Sequence, residues 1–238
     1  MTSSRTMIDL SADMGEGSPG EDEIWPLIDS ANVACGGHTG DADSMTYAAR
    51  RARELGVRLG AHPSYPDREN FGRKSMSMAP AALRASLAAQ INALRAIAPI
   101  AFVKPHGALY NDAHRDVIRA GIIIDAMTDV DRELAIVCPD ASAMAAAART
   151  NGISVIREAF ADRRYNPDGS LVSRAESDAL LGVDEAAEQA ALLASQRAVI
   201  ARDGTRIIVP HDTICIHADM ERAVERLRAI RQRIGGLE

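Results

Sequence analysis

The chain has 238 residues, of which 47% are hydrophobic but only 3% aromatic, and a formal net charge of −6. That charge leaves no basic footprint for nucleic acid, no apolar run approaches the length of a bilayer span, and the opening residues lack the apolar core of a signal peptide. A soluble cytoplasmic protein with neither a membrane nor a nucleic-acid partner is expected, built as one α/β domain over residues 1–238 with an interior of Ala, Val, Leu and Ile.

In chain order, the first predicted strand covers 7–14, where Ile8, Leu10 and Ala12 alternate with Asp9, Ser11 and Asp13 to give one apolar and one acidic face. The turn-rich run Gly15-Glu16-Gly17-Ser18-Pro19-Gly20 leads into a short helix over 22–29 that carries Trp25. A second strand over 31–35 runs into Gly36-Gly37-His38-Thr39-Gly40-Asp41, which is rich in glycine but too irregular for a phosphate or dinucleotide fingerprint. Met45, Ala48, Ala49, Ala52 and Leu55 then form a helical stripe closed by Gly56. The third strand, 57–61, delivers His62. Pro80 opens a helix with Leu83, Leu87, Ile91, Leu94 and Ile97 on one face.

The fourth strand ends in Lys104-Pro105-His106-Gly107. With a strand period of two, Phe102, Lys104 and His106 share a face, while Pro105 stops further pairing and Gly107 permits a tight turn. A helix over 117–127 follows, then a fifth strand over 134–138 and an alanine-rich helix over 141–149. The sixth strand, 154–160, ends at Ala161-Asp162-Arg163-Arg164-Tyr165 and a loop over 166–178. A long helix is expected over 184–201. Residues 207–209 read either as a short strand or as the approach to a seventh strand over 213–217, and a last helix starts near Asp219. Cys35, Cys138 and Cys215 form no CxxC pair and lie in apolar runs, so they read as reduced, buried thiols.

Strand, polar tip and helix thus recur about seven times, which implies a parallel sheet with helices outside. An open doubly wound sheet fits that order, but it confines functional residues to one switch point. Here nearly every strand ends in polar chemistry, which suits a closed barrel whose loops converge above one mouth. The tips are Asp13, His38, His62, Lys104 with His106, Asp162, and His217 with Asp219. Four of the six histidines occupy them, whereas His114 and His211 fall off the pattern and read as surface or supporting groups. Carboxylate with several imidazoles is also a ligand set for a divalent metal such as Zn, Mn or Fe, with Asp13, His38, His62 and His106 as the candidates. The same groups work as hydrogen-bonded acid and base pairs without metal, so both readings stay open.

These residues fall in an ordered set of motifs. They are Asp9-Leu10 through Asp13 with Gly15-Glu16-Gly17; Ser30 to His38 with Gly40-Asp41; Gly60-Ala61-His62-Pro63 with Tyr65-Pro66-Asp67 and Phe71-Gly72-Arg73; Val103 through Tyr110-Asn111; Phe160 to Arg163 with Tyr165; and Asp212 to Cys215 with His217. Over nearly the whole chain this set resembles the LamB/YcsF family. The resemblance implies a seven-stranded β/α barrel, TIM-like and of the glycoside hydrolase/deacetylase type. It also implies the A subunit of an ATP-dependent 5-oxoprolinase, a hydrolase that opens the 5-oxo-L-proline lactam to L-glutamate with B and C partner subunits. Those partners would bind ATP as co-substrate, which fits the lack of a P-loop in this chain. The family pattern is broken at Ser11-Ala12, where Asn-Cys is usual, at Gly37 in place of an aromatic, at Ser64 and Ala218 in place of glycine, and at His211 in place of a small residue.

Opening a lactam needs an activated water, a polarised carbonyl and a proton for the departing nitrogen. On this reading Asp13 is the general base, or a ligand where a metal is bound, and His106 or His62 is the proton donor. Lys104 and Arg163 hold carboxylate or phosphate charge, and His38, Tyr110, Asn111, Asp162 and His217 also contact substrate. Lys104 is expected to serve charge rather than packing, so that Lys104→Met leaves stability within about 1 kcal/mol. Two other readings are a stand-alone metal-dependent amide or sugar hydrolase or deacetylase, and a non-catalytic scaffold that binds a small acid. Oligomeric state, including a homo-oligomer, is left open.

Overall fold

A computed structural model describes residues 8–174 and 176–235. Strands β1 (Asp9–Met14), β2 (Ser30–Ala34), β3 (Arg58–His62), β4 (Phe102–Val103), β5 (Ala135–Cys138) and β6 (Val155–Phe160) pair in sequence order, each parallel to the last. A two-stranded antiparallel hairpin, β7 (Ala198–Ile200) with β8 (Arg206–Ile208), stands outside this sheet. Strand β9 (Thr213–Ile216) pairs with both β6 and β1 and closes a seven-stranded barrel. Because every barrel strand is parallel, all their C-terminal tips emerge at one end.

The connecting helices are α1 (Glu21–Ile24), α2 (Ala42–Leu55), α3 (Pro80–Arg95), α4 (Gly107–Arg115), α5 (Val117–Val130), α6 (Ala143–Thr150), α7 (Val183–Gln196) and α8 (Ala223–Gly235). Local signals set several of their ends. Asp41 and Ser44 form a reciprocal capping box on α2, and Gly56, in the left-handed region, returns its N–H to Ala52. Pro80 starts α3, whose Leu83, Leu87, Ile91 and Leu94 are buried. Among the described residues, no helix is long and apolar enough to cross a membrane.

Three expectations are corrected. The helix expected over 117–127 is preceded by a separate one, α4, which begins directly at the fourth strand tip; Asp116 caps α5 by accepting from the N–H groups of Ile118 and Arg119. The helix expected to reach 201 ends at Gln196, because Arg197 turns left-handed (φ 50°) and the β-branched Val199 and Ile200 join the outer hairpin. Residues 206–208 therefore belong to that hairpin and not to the barrel. The last helix begins at Ala223 and not near Asp219, after a left-handed Arg222.

Across the barrel's lower end, Phe102, Ala135 and Val137 pack into one buried cluster, with Ile156 against it. Beside that plug, Asp9 accepts from Ser30 Oγ and from the Arg58 guanidinium, both at 2.8 Å. The solid floor leaves the opposite end as the place where a small molecule can enter.

Candidate active site

A cavity of about 480 Å³ opens at the C-terminal ends of the strands, within the usual range for small-molecule sites. Its lining includes Asp13, Glu16, His62, Lys104, His106, Tyr110, Asn111, Arg163 and His217. Lys104 lies at its base. The Lys104 Nζ atom is 3.0 Å from Asp13 Oδ1, 2.8 Å from Glu158 Oε1 and 3.0 Å from Cys215 Sγ. Two of its N–H groups donate, to Asp13 Oδ1 and Cys215 Sγ, while Glu158 Oε1 stands as a close ion-pair partner without a hydrogen bond. Asp13 Oδ1 also accepts from Asn32 Nδ2 at 2.8 Å, and Tyr110 donates its hydroxyl to Glu158 Oε2 at 2.6 Å. All the charges in this network are buried.

Burial by itself would favour the uncharged form of both partners, but their mutual attraction wins. Burial would raise the Asp13 carboxyl, yet His62 and Lys104 hold it well below the usual carboxylate range. Burial would lower Lys104, yet Asp13, Cys215 and Glu158 hold it well above the usual lysine value. The result is a standing carboxylate at the tip of β1, facing the cavity. The Cys215 thiol is pushed up by burial, so it stays protonated beside the ammonium.

One wall of the cavity is made of imidazole. The rings of His38 and His106 stack at 3.6 Å between centroids and 3° between planes, and His62 meets His106 edge-on. His62 Nδ1 lies 2.7 Å from the Lys104 carbonyl, and His106 Nε2 lies 3.0 Å from that of Phe71. Both of these nitrogens carry the proton, since a carbonyl can only accept. Their other nitrogens, His62 Nε2 and His106 Nδ1, face each other at 2.9 Å. Glu16 completes the wall, with Oε1 at 2.9 Å from His38 Nε2 and 3.5 Å from His106 Nδ1. Glu21 holds the loop that carries Glu16 by accepting from the backbone N–H groups of Gly15, Gly17 and Ser18. Gly72 is needed behind the rings: its φ is +62°, and a Cβ there would sit 2.9 Å from His38 Cβ and 3.1 Å from His106 Cδ2.

The facing wall comes from β6 and β9. Asp162 accepts from the backbone N–H of His217 at 2.7 Å and lies 3.0 Å from its Nδ1, while Phe160 stacks on the His217 ring. Gln189 of α7 fixes this tip by donating to the carbonyls of Phe160, Ala161 and Arg163. Arg163 spends one N–H on the Val172 carbonyl at 2.7 Å and keeps a buried Nε without a partner. Burial and the neighbouring Arg174 lower it to about 10, so it is still a cation at neutral pH.

Burial would raise the Asp162 carboxyl, but the charge and hydrogen bonds of His217 outweigh it and hold Asp162 at about 2. A depressed carboxyl contributes stability that is complete above its unfolded value and is lost as pH falls through the folded one. The window therefore runs from about pH 4 down to about pH 2. Asp162→Asn is expected to cost about 2 kcal/mol at neutral pH, with the gap to wild type closing across that window. Denaturant titrations of both proteins at a series of pH values measure it, and a gap independent of pH would remove the Asp162 carboxylate from the account.

All the tip residues named from sequence lie at the same end of the barrel. Asp13, His62, Lys104, His106, Tyr110, Asn111, Arg163 and His217 line the cavity, whereas His38 lies behind His106 and Asp162 lies beneath His217. His211 precedes β9, at the other end, where it is buried with its ring on the Val209 carbonyl, and His114 is on α4. Sequence reasoning passed over Glu158, Glu16, Arg73 and Cys215 as site residues. The available signals were an acid two residues before the end of a predicted strand, for Glu158, and a turn loop following the Asp13 tip, for Glu16. Two breaks in the family pattern explain one another: a Cβ on Gly37 would lie 2.3 Å from Gln90 Oε1 and 2.4 Å from Ser64 Oγ. The serine and its glutamine clamp, with both backbone groups of Ser64 bonded to Gln90 at 2.9 Å, fill the space of the missing aromatic.

A sequence model of the LamB/YcsF family matches residues 8–237. The chain is 46% identical to the A subunit of the 5-oxoprolinase of Chloroflexus aggregans, over 97% of this chain and 95% of that protein. The crystal structure of the lactam utilization protein from Thermus thermophilus superposes with a TM-score of 0.90 at 37% identity, covering 98% of this chain and 97% of that one.

Proposed function

The chain belongs to the LamB/YcsF family, and from that membership we propose that it is the A subunit of a 5-oxoprolinase, a hydrolase that opens the 5-oxo-L-proline lactam to L-glutamate. The names of its 46% identical relative and of its 37% identical structural neighbour support a role in lactam processing. The observation that carries the reading is a buried carboxylate kept ionised at the mouth of a sealed barrel, in a cavity lined by an imidazole wall and a guanidinium.

In this proposal Asp13 takes a proton from water as the oxygen attacks the lactam carbon, and later returns a proton toward the departing nitrogen, in place of the His106 or His62 donor expected from sequence. Lys104 was expected to hold substrate charge. With its ammonium donating to Asp13 and Cys215 and paired in charge with Glu158, it is instead a positioning residue that keeps Asp13 ionised and aimed. Arg163, which lines the cavity, takes the substrate carboxylate, a pairing suited to guanidinium. Asn111 and His217 contact the substrate from the rim and the facing wall, while Tyr110 and Asp162 hold Glu158 and His217 in place. His62 and His106, backed by His38, orient the lactam carbonyl from the imidazole wall.

An unactivated amide resists attack by water, and phosphorylation of the lactam oxygen would make its carbon electrophilic. The chain has no glycine-rich cradle followed by Lys-Ser or Lys-Thr, so in this proposal ATP is handled by B and C partner subunits in the cytoplasm. Glutamate release from 5-oxoproline tests this directly, with the chain alone, the partners alone and all together, each with and without ATP. Glutamate is expected only from the complete mixture with ATP. Release by the partners alone would reduce this chain to a scaffold. Release by this chain without ATP would make it a stand-alone hydrolase.

A further inference from the structure

We infer that Glu16, His38, His62 and His106 form a binding site for one divalent transition-metal ion of the zinc class, at the edge of the cavity beside Asp13. One ligand atom from each of the four lies within 4.8 Å of all the others. An ion bound at about 2.0–2.1 Å in a tetrahedron spaces its ligands at roughly 3.3 Å. The contacts between these atoms bracket that spacing, at 2.9 Å for His38 Nε2 to Glu16 Oε1, 2.9 Å for His62 Nε2 to His106 Nδ1, and 3.5 Å for His106 Nδ1 to Glu16 Oε1.

The hydrogen bonds on the far sides of the rings carry the argument further. His62 Nδ1 and His106 Nε2 each donate to a backbone carbonyl, the arrangement that fixes the tautomer of a metal-binding histidine. In neutral rings the two remaining nitrogens then present lone pairs to each other at 2.9 Å, which repel unless something positive lies between them. A shared proton would satisfy those two atoms only. It would leave unexplained why a third imidazole and a carboxylate converge on the same point. An ion satisfies all four, and three imidazoles with one carboxylate are the donor set preferred by zinc and its neighbours.

The surroundings fit. Glu16 is buried, and its loop is held by Glu21 independently of the ligand atoms. Asp13 Oδ2 stands 3.4 Å from His62 Nε2, close enough to accept from a water on such an ion. This assignment of Glu16 replaces Asp13 in the ligand set expected from sequence, and Asp13 stays free to act as the base. The inference rests on the proposed function only for its use in catalysis, since metal binding is measurable without it.

The probe is the intact wild-type chain, stripped with a chelator and titrated with Zn2+ and, separately, Co2+. The expected result is about one equivalent bound, intense visible Co2+ absorption of the tetrahedral type, and a melting temperature raised by metal. Glu16→Gln and His38→Gln, checked for folding by circular dichroism, should each weaken Co2+ binding by at least about 10-fold and abolish the thermal shift. A stripped chain that gains neither absorption nor stability overturns the site, as do folded variants that bind Co2+ as tightly as wild type. A metal-free chain that still completes the reaction with its partners would remove the ion from catalysis and leave the proposed function standing. A metal-loaded chain that stays inactive with its partners would do the reverse.

Discussion

Lys104→Met is expected to lower the free energy of unfolding by about 3–5 kcal/mol, the range seen when one partner of a buried ion pair is removed. Methionine matches the stem of lysine in length, so packing survives. What is lost is the charge that compensates Asp13 at 3.0 Å and Glu158 at 2.8 Å, both of them buried. This reverses the small effect expected from sequence, where Lys104 reads as a strand-tip cation free to meet substrate. The double variant Lys104→Met, Glu158→Gln should recover part of the loss, because one of the two stranded carboxylates is then neutral. Denaturant unfolding of the wild type, the single and the double variant checks both statements. A single variant within about 1 kcal/mol of wild type would mean that the network is not held by its charges.

Asp13→Asn should leave a folded chain whose contribution to glutamate release falls by about 100- to 10,000-fold, the range set by removing a general base. The amide is isosteric and keeps an oxygen for Asn32 Nδ2 and for Lys104, both of which donate to Oδ1. It cannot take a proton from water. The assay is turnover in the complete mixture with partners and ATP, with circular dichroism and melting on the same preparation. A folded Asp13→Asn chain that turns over at the wild-type rate would take the base away from Asp13, leaving Glu16, which also lines the cavity, as the next candidate.

Much of the barrel was legible because its signals are local. Alternation along β1 and at the end of β4 follows from a side-chain period of two, and it put Asp13 on the face opposite Leu10 and Ala12, and Lys104 on the same face as His106, before any contact was known. The stop at Gly56 and the start at Pro80 are likewise properties of a few residues. Reading failed where neighbours far along the chain intervene. Val199 and Ile200 continue the preceding helix by sequence alone, and leave it because β8 offers them a partner strand. Helix α4 was missed because its polar face, with Tyr110 and Asn111, looks like loop until the barrel mouth supplies a surface for it.

The sequence by itself determined the repeated strand, tip and helix, the face on which each tip side chain falls, and the family, since each depends on spacing within a short stretch. Only the tertiary structure decided what those side chains do. Lys104 meets Asp13 from 91 positions away and Cys215 from 111, and its charge is consumed there and not offered to a substrate. Glu158 within β6, and Glu16 in a turn, become part of the site only when closure of the barrel brings β1, β3, β4, β6 and β9 around one cavity. The physical reason is that electrostatic roles depend on distance and burial, and both are set by chain closure and not by neighbours in sequence.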